Sequence, residues 1–221
     1  MRLLARFLMV ITFLVLPLIG RAGEGFDKRL FDAYQKQDMS VWKEYLNSEA
    51  LHSPNSSSAA LHSLLYHYGY CGYIVAEAKK EGKEALLPEA KACVQRFKSL
   101  VEQLHSLPFR EGSGLGLPAG HYEMYLSAVY VFELRLHLSI HPLKAMSLAK
   151  EATRLAPDDP LVLSYYGTCL FYAPKPFGSK EEALTWFEKA EPLFRDPQWD
   201  YCWVKEANAM YIRQCHEKLN R

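Results

Sequence analysis

Apolar residues recur at three- and four-residue spacings along most of the chain, and Gly, Pro, Ser and Asp interrupt them at intervals. That is the period of amphipathic helices, so the pattern predicts an all-α protein of about nine helices. Residues 27–37 and 40–48 form a short first pair, with a turn at Asp38-Met39-Ser40. A polar loop at 52–58 follows. Residues 59–80 then make a long helix rich in Tyr, Leu and His, closed by Gly82. Its return partner spans 84–104, where Pro88 is tolerable only in a first turn. The stretch 107–120 holds four Gly and two Pro. It reads as a linker between an N-terminal unit of helical hairpins, 23–106, and a second unit, 121–221.

The second unit opens with the helix at 122–138, although Leu134, Leu136 and Leu138 alternate with Arg135 and His137, a strand-like pattern when taken alone. His141-Pro142 and Asp159-Pro160 each place Pro at a helix start, and Ser179 with Glu182 forms a capping box before the helix at 183–194. The last helix is expected over 200–219.

A repeat runs through this half. Leu163, Tyr166, Gly167 and Leu170 form the pattern Leu-x-x-Tyr-Gly-x-x-Leu. The helix before it carries Ala145, Ala149 and Ala152, then Leu155 and Pro157. Small residues let neighbouring helices approach, and the larger ones fill the space between. A shift of 34 residues from the alanines lands on Ser179, Ala183 and Trp186, which do not match. A four-residue insertion at 174–178 moves the match to Ala183, Phe187 and Ala190, which do. Upstream, Val129, Phe132 and Leu136 take the corresponding places, with Glu133 where a small residue is usual.

These residues resemble the tetratricopeptide-repeat family over 122–219. The turn Pro176-Phe177-Gly178-Ser179 is similar to one in short exported bacterial members of unassigned role. The resemblance implies a right-handed α-solenoid of antiparallel helical hairpins ending in a capping helix. It also implies that first-helix residues outside the packing pattern line a concave groove: Tyr130, Leu134, His137, Thr168, Phe171 and Tyr172. Such a groove takes a protein or peptide. Two alternatives stay open at this point: a helical bundle without repeats, and an aromatic stripe that is ordinary inter-repeat core.

Address and charge narrow the function classes. Residues 1–22 read as a secretory signal: Arg2 and Arg6, an apolar run to Ile19, then Gly20-Arg21-Ala22. No Cys follows, which argues against a lipoprotein anchor, and an uncleaved N-terminal anchor is the competing reading. Cleavage turns 26 basic residues into 23 against 25 acidic ones, a formal charge of −2 with His neutral. No second long apolar segment exists, so the mature chain is expected to lack a membrane span and to be periplasmic or secreted. A negative balance speaks against a nucleic-acid partner.

Candidate chemistry is sparse. No nucleophile-elbow, zinc-protease or Cys/His signature is present, so no catalytic residue, metal site or cofactor is expected. His62, His67 and Cys71 share one helix but lack further ligands at metal spacing, and Glu77, Glu81, Glu84 and Glu182 read as solvated charges. Gly112, Gly114 and Gly116 have no preceding strand to make a phosphate cradle. Of the five Cys, Cys71 and Cys93 are equidistant from Gly82, which sets them level across a hairpin and makes a disulfide feasible. Cys202 and Cys215 lie too far apart along one helix to pair. The expectation is a non-catalytic binding scaffold, with an accessory subunit of an envelope assembly as the alternative and an enzyme third.

Overall fold

A computed structural model describes residues 25–48, 57–109, 116–138 and 141–220; the signal-like segment lies outside them, as do Gly112 and Gly114. Among the described residues there are nine α-helices and no strand. They are α1 (Lys28–Gln35), α2 (Ser40–Leu46), α3 (Ser57–Glu77), α4 (Leu87–His105), α5 (His121–Arg135), α6 (Pro142–Leu155), α7 (Pro160–Tyr172), α8 (Lys180–Ala190) and α9 (Trp203–Leu219). No helix among the described residues is long and apolar enough to cross a membrane.

Side-chain caps place several starts. The Asp27 carboxylate accepts the Arg29 amide at 2.8 Å, Asp159 accepts those of Leu161 and Val162 at 2.9 and 3.2 Å, and Ser179 accepts that of Glu182 at 3.0 Å. Each satisfies amides that a first turn leaves without partners. The strand-like alternation at 134–138 has a helical cause. α5 ends at Arg135, and His137 takes a left-handed φ of 57°. The Leu138 amide then donates to the Glu133 carbonyl at 2.8 Å and the His137 amide to that of Leu134 at 3.1 Å. That reversal exposes His137 and Leu138 and buries Leu136. The last helix starts at Trp203 rather than at 200, because a 3₁₀ turn at Pro197–Trp199 and a left-handed Tyr201, φ 61°, come first.

Consecutive helices pack as neighbours, most closely α3 with α4, α5 with α6 and α7 with α8, an arrangement compatible with a helical solenoid or bundle. The odd-numbered helices α3, α5, α7 and α9 also touch one another in turn and form an inner layer. Ala145, Ala149, Ala152, Leu163, Tyr166, Gly167, Leu170, Ala183, Phe187 and Ala190 are all buried. A Cβ on Gly167 would sit 2.8 Å from a Phe187 ring carbon, so this contact between α7 and α8 needs a glycine. Glu133, at the place where a small residue is usual, is buried and paired with Lys98 of α4 at 3.2 Å.

Two features reach across the chain. One apolar core runs through both sides of the 107–120 stretch, with Phe97 of α4 edge-on to Tyr125 of α5 at 5.8 Å. The N-terminal pair also meets the C-terminal helix. Tyr34 and Trp42 lie 5.7 and 6.0 Å from Trp203, and Phe26 stacks 6.0 Å from Trp199. Trp42 is fully buried and its indole N–H donates to the Leu30 carbonyl at 2.7 Å. Rings of this size bury about 150–250 Å² each, so this closure contributes much of the core.

Candidate functional site

Tyr68 of α3 stands at the centre of the inner layer. Its ring lies 5.7 to 6.5 Å from those of Phe97, Tyr125, Phe132, Tyr165 and Trp203. Beside it a cleft of about 130 Å³ opens among α1, α3, α5, α7 and α9. Its walls are Tyr34, Leu65, Tyr68, Met124, Leu161, Ser164, Tyr165, Thr168, Trp203, Val204, Ala207, Met210 and Tyr211. None of these carries a charge at neutral pH. Burial pushes the phenols of Tyr34, Tyr68, Tyr165 and Tyr211 above their ordinary range, so they remain protonated. The buried Trp203 indole N–H has no acceptor among the described residues. The cleft therefore offers a ring-sized, uncharged and largely apolar space with the Trp203 ring in its wall. A cavity of this order accepts a single aromatic ring.

A second, wider pocket of about 580 Å³ lies where α4, α5 and α6 meet, lined by Lys98, Tyr130, Glu133, His137, Leu138, His141 and Lys144. It is open to solvent and largely polar. The Lys144 ammonium sits 4.7 Å over the Tyr130 ring, and the His141 ring stands edge-on to the same phenol at 6.4 Å. Lys79 of the α3–α4 turn lies 3.1 Å from His137 Nε2.

The residues expected to share one groove fall in different places. Tyr130 and His137 line the wide pocket, and Thr168 lines the aromatic cleft. Phe171 is buried beneath the ammonium groups of Lys180 and Lys218, at 3.7 and 4.8 Å. Tyr172 is exposed, its hydroxyl 3.4 Å from that of Tyr211. Leu134 is half-buried on α5. Tyr34, Tyr68, Trp203 and Tyr211 carry no local signal of a shared site, because their meeting depends on the closure of the chain ends. Lys98, His141 and Lys144 likewise line the wide pocket without a site signal in the sequence, where His141 reads as a helix start. Of these, His141 and Lys144 follow His137 closely around a helix–helix turn, a juxtaposition visible in the chain.

The remaining candidates are structural in their contacts. The His62 ring lies 4.2 Å from that of Phe26, tilted to it by 36°, and burial lowers its pKa to about 4. His67 Nδ1 lies 2.9 Å from the Ser63 carbonyl. The sulfurs of Cys71 and Cys93 are 2.7 Å apart between α3 and α4, and burial raises the Cys71 thiol. No group of three or more His, Cys, Asp or Glu suited to a metal ion occurs among the described residues. Glu77 pairs with Lys80, and Glu84 accepts the Gly82 amide at 3.3 Å. Glu81 and Glu182 are exposed.

No protein-family model matches the chain, and no curated protein matches it in sequence. Among solved structures, the HusA haemophore from Porphyromonas gingivalis is similar, with a TM-score of 0.50 at 15% identity over 86% of this chain and 91% of that one. At this identity the likeness is one of fold.

Proposed function

We propose that this is a non-catalytic, extracytoplasmic binding protein that captures a protein or peptide by seating one apolar or aromatic side chain in the cleft beside Tyr68. The observation that carries the reading is the cleft itself, ring-sized and uncharged, with the Trp203 ring in its wall. An extended ligand along the whole inner layer fits less well, because Tyr68 and Trp203 already meet there at 5.7 Å. Seating one large apolar side chain is worth about 1.5–3 kcal/mol, roughly ten- to hundred-fold in affinity.

Thr168→Phe tests this, since it places a ring inside the cleft. Peptides selected from a random display library against the wild-type chain should carry an aromatic or large aliphatic anchor. They should bind the folded Thr168→Phe protein at least ten-fold more weakly. Selected peptides that bind both proteins equally would remove the cleft from the account.

The similarity in fold to a haemophore favours a second reading, in which the cargo is haem. The cleft is too small for a four-ring macrocycle, so this reading turns to the wide pocket. There His137, His141 and Tyr130 are the residues suited to meet iron and Lys98 and Lys144 those suited to meet carboxylates. Haemin titration decides it. A saturable absorbance change lost in His137→Ala or His141→Ala supports haem, and no change rejects it.

A further inference from the structure

Independently of the cleft, we propose that the pocket between α4, α5 and α6 binds an organic anion, its carboxylate or phosphate held by Lys144 and its apolar body laid against Tyr130 and Leu138. Several observations converge. The pocket, about 580 Å³, is within the range of small-molecule sites. Its lining holds two lysines and two histidines but one carboxylate, Glu133. That carboxylate is buried and already engaged by Lys98 at 3.2 Å.

Lys144 has no carboxylate partner among the described residues, and its ammonium rests on the Tyr130 ring at 4.7 Å. Lys79, the neighbour of His137, is likewise without an acidic partner there. Lys144 thus faces the pocket uncompensated, and Lys79, outside the lining, adds positive charge behind His137. An oxyanion entering it meets attraction from Lys144 and displaces no existing ion pair.

The apolar half of the proposal rests on the other wall. Leu138 is 44% exposed because the left-handed turn at His137 carries it out of the core. Beside the half-buried Tyr130 ring it makes an apolar shelf next to the cations. A small inorganic anion would leave that shelf unused, whereas an amphipathic one covers both surfaces. Lysine is a point charge without a fixed fork, so the arrangement selects charge and shape and accepts a carboxylate or a phosphate alike.

The test uses iron-free fluorescent probes on the full chain, separating it from both the cleft and the haem reading. 1-Pyrenebutyrate supplies the carboxylate, 1-naphthyl phosphate the phosphate, and 1-pyrenebutanol the same aromatic body without charge. At least one anion should bind saturably, and pyrenebutyrate, if it is the one, roughly ten-fold tighter than the alcohol. Lys144→Ala should remove that margin, while Lys28→Ala on α1 should keep it. Lys144 is exposed, so its variant should retain the wild-type circular dichroism. Binding by one anion alone assigns the charged group. The proposal is overturned if neither anion binds, if the alcohol binds as well as pyrenebutyrate, or if Lys144→Ala binds like the wild type.

Discussion

Gly69 and Gly72 lie one turn apart on α3 and make a matched pair of probes. A Cβ at Gly69 would come within 2.6 Å of a Trp42 ring carbon and 2.9 Å of one in Trp203. At Gly72 the nearest atom, in the Phe132 ring, is 3.8 Å away, an ordinary contact. Alanine gains about 1 kcal/mol over glycine in a helix interior at either site. At Gly72 nothing opposes that gain, so Gly72→Ala should stabilise by up to ~1 kcal/mol. At Gly69 overpacking costs about 1–3 kcal/mol. The upper part of that range applies, because the Trp42 indole is buried and tied to the Leu30 carbonyl at 2.7 Å and cannot swing aside. Gly69→Ala should therefore lose about 1–2 kcal/mol. Urea denaturation followed by tryptophan fluorescence measures both, and the two midpoints should move in opposite directions. If Gly69→Ala were as stable as Gly72→Ala, Trp42 and Trp203 would not close over α3, and the cleft would lose its wall.

Three further outcomes are expected. Refolding with oxidised glutathione should link Cys71 to Cys93, the glutathione disulfide taking up the two hydrogens. Closing a loop with a residue separation of 22 should stabilise by about 3 kcal/mol, and both thiols remaining alkylatable would refute it. Burial alone would raise the Asp159 carboxyl, but His121 at 2.8 Å and the amides of α7 outweigh it and lower its pKa. Its contribution is then full above the unfolded carboxyl value of about 3.9 and is lost as pH falls through the lower folded value, so Asp159→Asn should flatten stability in that acid window. Ser127→Ala should cost about 1–3 kcal/mol in urea denaturation, because the hydroxyl donates to the Ala145 carbonyl at 2.7 Å and meets the Tyr165 hydroxyl at 2.9 Å in the core.

Local signals in the sequence were informative. The cap residues Asp159 and Ser179 start helices, and the alanines of α6 and α8 are buried. These rest on short-range physics: a side chain reaching an amide two or three residues away, or a small residue recurring on one helix face. The end of α5 misled because a left-handed residue shifts the side-chain period, and no spacing rule anticipates a His in that conformation. The start of α9 moved for a similar reason, at Tyr201.

The candidate sites were less legible. Trp203 and Tyr68 are 135 positions apart in the chain and meet only after every helix between them has packed. Thr168 was named for a groove and lies in the cleft, whereas Phe171, three residues on, turns into the core under two lysines. Helical spacing places residues on a face. It does not say which part of that face the chain ends will cover.

The Trp203 indole, whose ring lines the cleft, offers the most direct measurement. In ¹⁵N-labelled protein the indole resonances of the four tryptophans are separable, and Trp203→Phe assigns the one that matters. On adding a library-selected peptide, the account predicts that the Trp203 indole signal moves as its ring gains a new neighbour in the cleft, while that of Trp186, on α8 against Tyr166, stays in place. Saturable binding with the Trp203 signal unmoved would contradict it.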